Sequence, residues 1–116
     1  MAGHREQRIN EEIKRELTAI LRQLKDPRIS GMVSVLKTSA TKDLKFCKAY
    51  ISVFGSEENK QDVLKGLNSA KGFIRKEIAR ALSLRVTPEF TFEIDNSLEE
   101  GNRILKMIES MEYHEE

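Results

Sequence analysis

The sequence predicts one α+β domain with the element order αββααβα. Its 116 residues are the size of a single domain, and no repeat or linker divides residues 1–116. Apolar residues recur at helical spacing in four segments. In three shorter segments they alternate with polar residues, as in strands that bury one face.

The first helix is predicted over residues 7–24, where an apolar stripe includes Ile13 and Leu17. Asp26 is expected to end it, because the residue before a proline, here Pro27, disfavours the α-helical conformation. A hairpin is predicted next.

The hairpin strands are predicted over residues 32–39 and 45–54, joined by the polar turn Thr41-Lys42-Asp43. One face of the second strand is expected to be buried. Its residues are Cys47, Ala49, Ile51 and Val53.

The apolar stripe after the hairpin runs from Val63 to Leu82, yet Gly72 interrupts it. A glycine inside a helix costs about 1 kcal/mol relative to alanine, so we predict a break in the helix there. The interpretation is two helices, over residues 57–70 and 73–84, joined by a kink at Ala70-Lys71-Gly72.

The last two elements are a strand and a helix. Pro88 opens a strand over residues 89–95, in which Phe90 and Phe92 face inward. Ser97-Leu98-Glu99-Glu100 has the pattern of a capping box, which predicts the start of the final helix.

Composition favours a soluble cytoplasmic protein. No stretch approaches the ~20 apolar residues of a membrane span, and the lone Cys47 excludes an internal disulfide. Residues 1–95 carry an excess of basic side chains and residues 96–116 an excess of acidic ones, so the body is expected to bind an anionic partner. Ordinary charge scatter is the alternative. Residues 1–4 and 112–116 are expected to be disordered.

The sequence contains no residue set that supports catalysis, so we expect no enzymatic activity, no cofactor and no metal. His4 and His114 lie in the terminal segments, which are poor places to fix imidazole geometry. Cys47 falls on the apolar face of a strand and is expected to be buried and unreactive. The spacing of Gly66 and Gly72 fits no phosphate-binding loop.

A first basic surface is predicted on the first helix. Arg8, Arg15 and Arg22 recur every seven residues, which places them in one row nearly opposite the apolar stripe. Lys25 and Arg28 extend the row past the helix end. The row is a candidate surface for binding the anionic partner. The alternative is a solvated face whose arginines pair with glutamates on the same helix.

A second basic surface is predicted between residues 71 and 85. Its cations are Lys71, Arg75, Lys76, Arg80 and Arg85, with Glu77 as the single acid. They begin at a helix N-terminus, whose free N–H groups attract phosphate, and Gly72 would allow close approach to the backbone. The alternative is that Gly72 merely lets two helices bend over the sheet. Charge reversal at Lys71, Arg75 and Arg80 is expected to weaken binding of nucleic-acid phosphates while leaving the fold intact.

Three aromatic residues fall on the outer face of the second strand. They are Phe46, Tyr50 and Phe54. Exposed aromatic residues on a sheet stack on bases in some RNA-binding proteins. Because Phe46 and Phe54 lie at the strand ends, we interpret them as caps on the core.

This order of elements resembles a type II KH-like domain, in which a GxxG loop between the paired helices normally clamps the nucleic-acid backbone. Ala70-Lys71-Gly72 stands in the place of that loop, as in the bacterial ribosome-binding factor A family. Further segments resemble this family over residues 4–111. They are Lys25-Asp26-Pro27-Arg28, Asp43-Leu44, Lys48-Ala49-Tyr50-Ile51-Ser52-Val53, Gly72-Phe73-Ile74-Arg75, Leu84-Arg85-Val86-Thr87-Pro88-Glu89-Phe90-Thr91-Phe92 and Asp95-Asn96-Ser97.

The resemblance implies a non-catalytic assembly factor that is monomeric when free. Such a factor would bind the small (30S) ribosomal subunit through 16S rRNA and support late maturation, including processing of the 5′ end of the rRNA. It would matter most in the cold, leave before translation begins, and have functional links to assembly GTPases. The alternative from a different class is a protein-interaction module, for example a homodimer that pairs through an exposed sheet edge.

Overall fold

The structure is a computed structural model that describes residues 2–29 and 32–114. It confirms the α+β class and the predicted order of elements. The helices are α1 (Ala2–Gln23), α2 (Glu57–Ser69), α3 (Lys71–Ala81) and α4 (Ser97–His114). The strands are β1 (Met32–Ala40), β2 (Phe46–Phe54) and β3 (Glu89–Ile94).

The three described strands form one sheet in the order β1-β2-β3. β1 and β2 are antiparallel, whereas β2 and β3 are parallel. Parallel neighbours need a crossover connection, and α2 and α3 provide it. In β1 the pairing register shifts between Val35 and Lys37.

The hydrophobic core lies between one face of the sheet and the first three helices. Ile13 and Leu17 of α1, and Ile74 and Ile78 of α3, are fully buried. On β3, the rings of Phe90 and Phe92 stack with centroids 5.9 Å apart. The inward faces predicted for α1, α3 and β3 are therefore confirmed. The buried side chains of β2 are Cys47, Ala49, Ile51, Ser52 and Val53.

The helix termini differ from the prediction. Residues 2–4 and 112–114, where the sequence predicts disorder, lie within α1 and α4, because no proline stops either helix. Met1, Glu115 and Glu116 lie outside the described residues. α4 begins at Ser97, one residue earlier than the capping pattern predicts.

The break between α2 and α3 lies within the predicted kink at Ala70-Lys71-Gly72. It consists of Ala70 alone, with φ −91° and ψ 2°, while Lys71 and Gly72 already belong to α3. An alanine reaches this bridge conformation without a glycine beside it.

Candidate nucleic-acid interface

The α1 row, which we define as Arg8, Arg15 and Arg22, points away from the core. All three side chains are exposed, while Ile13 and Leu17 on the opposite side of the helix are fully buried. Arg8 lies 3.8 Å from Glu12, and its side chain is 84% exposed, so this ion pair stabilises little. Among the described residues, Arg15 and Arg22 make no ion pair, contrary to the predicted alternative in which glutamates neutralise the row.

The two cations that extend the α1 row differ from each other. Lys25 is exposed and makes no ion pair within the described residues. Arg28 forms a two-pronged ion pair with Asp26, with Nη2–Oδ2 and Nε–Oδ1 distances of 2.7 and 3.0 Å. The carboxylate also accepts the backbone N–H of Arg28 at 2.9 Å, which closes a tight turn at Pro27. These hydrogen bonds lower the pKa of Asp26 and raise the pKa of Arg28.

The loop that contains Arg28 packs against Gly66 of α2. A Cβ added to Gly66 would lie 2.7 Å from Ile29 Cγ1 and 3.3 Å from Arg28 Cβ. The loop therefore packs on the bare backbone of α2. Sequence analysis missed this role, since Gly66 was considered only for a phosphate loop.

We define the α3 surface as Lys71, Arg75, Lys76, Arg80 and Arg85. Some of these cations bond to other residues of the protein, and the others do not. Lys76 and Arg85 are exposed and Lys71 is half-buried, and none of the three makes an ion pair in the described part of the chain. Arg80 pairs with Glu77, and this hydrogen bond raises the pKa of Arg80.

Arg75 has a structural role in the α3 surface. Its Nη2 donates to the carbonyl and the hydroxyl oxygen of Thr87, at 3.2 and 3.1 Å, and ties α3 to the segment that leads into β3. Its Nε is buried without a hydrogen-bond partner. Charge reversal at Arg75 would remove these hydrogen bonds, so this position is less suited than Lys71 to a test of binding alone.

Gly72 lies exposed in the first turn of α3, with nothing within 4 Å of a Cβ built on it. Neither its backbone conformation nor its packing requires a glycine. Ala70 provides no side-chain cap for this helix start. The open backbone is consistent with close approach by a phosphate. Beside it, Phe73 is 50% exposed, an aromatic residue that sequence analysis left out of the candidate set.

One cation of the α1 row lies near the C-terminal end of α3. A groove of about 360 Å³ is lined by Glu12, Arg15 and Glu16 on α1 and by Ala81, Leu82 and Ser83 at the end of α3. Arg15 is thus close to the end of α3 that contains Arg80. Lys71 and Gly72 lie at the other end of this helix, about 15 Å away at 1.5 Å per residue.

The outer face of the sheet is open. Phe46 and Phe54 are 54% and 40% exposed, so their interpretation as caps on the core is wrong. Lys48 lies between them, 2.9 Å from Glu93 and 5.5 Å from the centroid of the Tyr50 ring. The glutamate neutralises this lysine, which makes the outer face less suited to phosphate than the two helical surfaces.

The predicted burial of the thiol is confirmed. Cys47 is 2% exposed, and burial raises its pKa to about 11, so it is a neutral thiol at physiological pH. Within residues 2–29 and 32–114, no three histidine, cysteine, aspartate or glutamate side chains converge as metal ligands. No helix in the same part of the chain is long and apolar enough to cross a membrane.

Residues 5–108 match the family model described as Ribosome-binding factor A. The chain belongs to the ribosome-binding factor A family. A relative with that name from Acetivibrio thermocellus is 54% identical over 103 residues, which are 88% of this chain and 84% of the relative.

Solved structures agree with this family. The solution NMR structure of a Thermotoga maritima protein, named as a candidate ribosome binding factor A, is 36% identical with a TM-score of 0.71. The match covers 77% of this chain and 85% of that one. A homology model of Thermus thermophilus ribosome binding factor A, fitted into the cryo-EM map of its 30S complex, is 25% identical with a TM-score of 0.62. That match covers 75% of this chain and 91% of the other.

Two segments on which the family resemblance was based now have structural roles. Asp26-Pro27-Arg28 is the turn closed by the Asp26 carboxylate. Ala70-Lys71-Gly72 is the break between α2 and α3 together with the exposed first turn of α3.

Proposed function

We propose that this member of the ribosome-binding factor A family binds the small ribosomal subunit through 16S rRNA and acts without catalysis. The observation that carries the proposal is a set of cations on α1, on α3 and just after each helix that make no ion pair within the described residues. The α1 row and its extension provide Arg15, Arg22 and Lys25. The α3 surface provides Lys71, Lys76 and Arg85. Cations without partners within the chain are free to neutralise phosphates, whose contacts position a protein without reading sequence.

The 30S complex of the Thermus thermophilus relative supports the choice of subunit. The break between α2 and α3 supports a type II KH-like fold, with Ala70-Lys71-Gly72 in place of the GxxG loop. In this arrangement the exposed backbone at Gly72 contacts phosphate, and Lys71 and Lys76 flank it. Arg75 and Arg80, also candidates from the sequence, contribute less to binding because Thr87 and Glu77 engage them.

The biological consequence of this binding is late maturation of the subunit, including processing of the 5′ end of 16S rRNA. The protein acts in the cytoplasm as a monomer, has functional links to assembly GTPases, and leaves before translation. Depletion should cause precursor 16S rRNA with unprocessed 5′ ends to accumulate, most strongly in the cold. Normal 5′ ends in depleted cells at low temperature would contradict this part of the proposal.

Co-sedimentation with purified small subunits tests the binding. The wild-type protein is compared with two double variants, R15E/R22E and K71E/K76E. The matched control is K45E/K65E, which reverses two exposed lysines outside both surfaces. Both test variants should lose most of the binding that the control retains. Equal binding by all four proteins would overturn the site assignment, and no binding by the wild type at low salt would overturn the function.

A further inference from the structure

The outer edge of β1 is open along only part of its length. In the described sheet, β1 pairs with β2 alone. At its C-terminal end, Asn10 of α1 covers this edge. The Asn10 side chain accepts the Ala40 N–H at 2.9 Å, and its carbonyl accepts the Thr38 hydroxyl at 2.6 Å. From Val33 to Val35, no described residue outside the sheet forms a hydrogen bond with this edge. An open strand edge is a template for pairing with another chain.

A groove of about 440 Å³ separates this open edge from α1. Leu21 and Ile29, which are only partly buried, and Val35, which is 7% exposed, provide an apolar lining. The groove thus combines main-chain groups that lack a partner with apolar surface beside them. These are the two components of strand addition, in which main-chain hydrogen bonds supply affinity and side-chain contacts supply specificity.

The charge of the groove is positive. Lys14 and Arg22 lie two turns apart on α1 and both line it, whereas no acidic side chain does. Neither cation makes an ion pair within residues 2–29 and 32–114. Glu11 lies with Lys14 on the adjoining surface of α1. The occupant must therefore bring negative charge.

We propose that this groove binds an extended acidic peptide segment of a partner protein. The segment adds a short strand to β1 along Val33–Val35 and places carboxylates near Lys14 and Arg22. The register shift before Lys37 limits the regular pairing to these few residues. This interaction goes beyond the proposed binding of rRNA, because it uses a sheet edge and Lys14, which belongs to neither basic surface.

Two other occupants fit the groove less well. A second copy of this chain would bring its own Lys14 and Arg22 against the same charges, and like charges at an interface disfavour association. A nucleic-acid strand would satisfy the cations but has no amide groups at the spacing of a β-strand. The combination of an open edge and positive charge therefore favours an acidic peptide.

The probe is a fluorescent seven-residue peptide of alternating valine and glutamate, titrated into the full chain labelled with ¹⁵N. Saturable binding is expected, with amide shifts confined to residues 14–22 and 32–36. A second peptide has lysine in place of glutamate, and a third keeps the glutamates but has N-methylated valines, which cannot donate main-chain hydrogen bonds. Each should bind at least tenfold more weakly, because the lysine peptide lacks the negative charge that complements the groove and the N-methylated peptide lacks main-chain donors at its valines.

The matched protein variants are Lys14→Glu and Lys65→Glu, with Lys14→Gln as a milder second change. Lys14→Glu should weaken binding of the acidic peptide about tenfold or more, and Lys14→Gln should weaken it less. Lys65→Glu, an exposed site on α2, should have no effect. Circular dichroism confirms that each variant is folded.

Three results would overturn the proposal. They are equal binding of the N-methylated peptide, unchanged binding by Lys14→Glu, and amide shifts on the α3 surface instead of the groove. Displacement of the peptide by a ribo-oligonucleotide that shifts the same amides would assign the groove to RNA and also overturn it. Subunit co-sedimentation by Lys14→Glu is measured separately. If Lys14→Glu still co-sediments with the subunit, the proposed function stands, whatever the result with the peptide.

Discussion

The α1 row and the α3 surface look equally basic in the sequence but differ in the structure. On α1, Arg15 and Arg22 are exposed and have no ion-pair partner among the described residues. On the α3 surface, Arg75 bonds to Thr87 and Arg80 pairs with Glu77. A count of cations therefore overstates the charge that the α3 surface offers to a ligand, because two of its arginines hold the protein itself together.

Each surface also has a glycine beside it, and the two glycines have opposite roles. Gly66 lets the loop with Lys25 and Arg28 pack on α2, and a Cβ there would lie 2.7 Å from Ile29. Gly72 has open space around it. The first glycine is required by packing inside the protein, and the second is left available for contact with something outside it.

The largest expected effect is on folding stability, in the pair Gly66→Ala and Gly72→Ala. Gly66→Ala should lower the free energy of unfolding by about 2 kcal/mol, because overpacking against Ile29 exceeds the gain in helix propensity. Gly72→Ala should raise it by up to about 1 kcal/mol, since alanine is the better helix former. Urea denaturation measures both. Destabilisation by Gly72→Ala would contradict the open site found there.

The next largest expected effect is a difference in folding stability between variants of Arg75 and Arg15. Arg75→Ala should lower the free energy of unfolding by about 1 kcal/mol through loss of its hydrogen bonds to Thr87. Arg15→Ala should change it by less than about 0.5 kcal/mol, as for most surface substitutions. Thermal unfolding of the two variants side by side provides the measurement. Equal unfolding temperatures of the two variants would show that the Arg75–Thr87 hydrogen bonds do not stabilise the fold.

A smaller effect is expected on binding when Arg80 is released from Glu77. Glu77→Gln removes the ion pair and one negative charge from the α3 surface. Because exposed ion pairs are worth about 0.2 to 1 kcal/mol, subunit binding should tighten by a factor of about 1.4 to 5 at low salt. Glu58→Gln on α2 is the control. Weaker binding by Glu77→Gln would instead mean that the ion pair with Glu77 orients Arg80 for binding to the subunit.

The smallest effect concerns pH and the Asp26–Arg28 turn. Hydrogen bonds from Arg28 lower the pKa of Asp26 in the folded protein below its unfolded value of 3.8. The stabilisation is therefore present above that value and is lost as the pH falls through the folded pKa. Asp26→Asn should remove this part of the acid sensitivity, measured as the difference in unfolding midpoint between pH 7 and pH 3. An identical pH profile in both proteins would exclude the turn as a contributor.

Much of the fold was predictable because periodicity fixes which side chains must be buried. The α1 stripe with Ile13 and Leu17, and the alternation of β2 around Cys47, gave the correct inward faces. Two local features escaped. Gly66 is constrained by Ile29, which is distant in sequence, and no local pattern reports such a contact. The prediction gave the kink as Ala70-Lys71-Gly72 but not that Ala70 alone would form the break, because glycine propensity drew attention to Gly72.

The candidate site was predictable in composition but not in its pairing. Helical spacing placed the α1 row outward, and the structure agrees. Helical spacing could not show that Arg75 contacts Thr87, twelve residues further along the chain. That contact depends on how α3 lies beside the segment that leads into β3. Strand alternation did place Phe46 and Phe54 on the outer face, but their position at the strand ends led to the wrong interpretation as caps on the core.

The most direct test of the central claim is the salt dependence of subunit binding. Each phosphate contact contributes about 0.7 to 0.9 to the slope of log K against log salt concentration. If Arg15, Arg22, Lys71 and Lys76 contact phosphate, R15E/R22E and K71E/K76E should each reduce the slope by about 1.5, while K45E/K65E leaves it unchanged. Slopes that are the same in all four proteins would contradict the account.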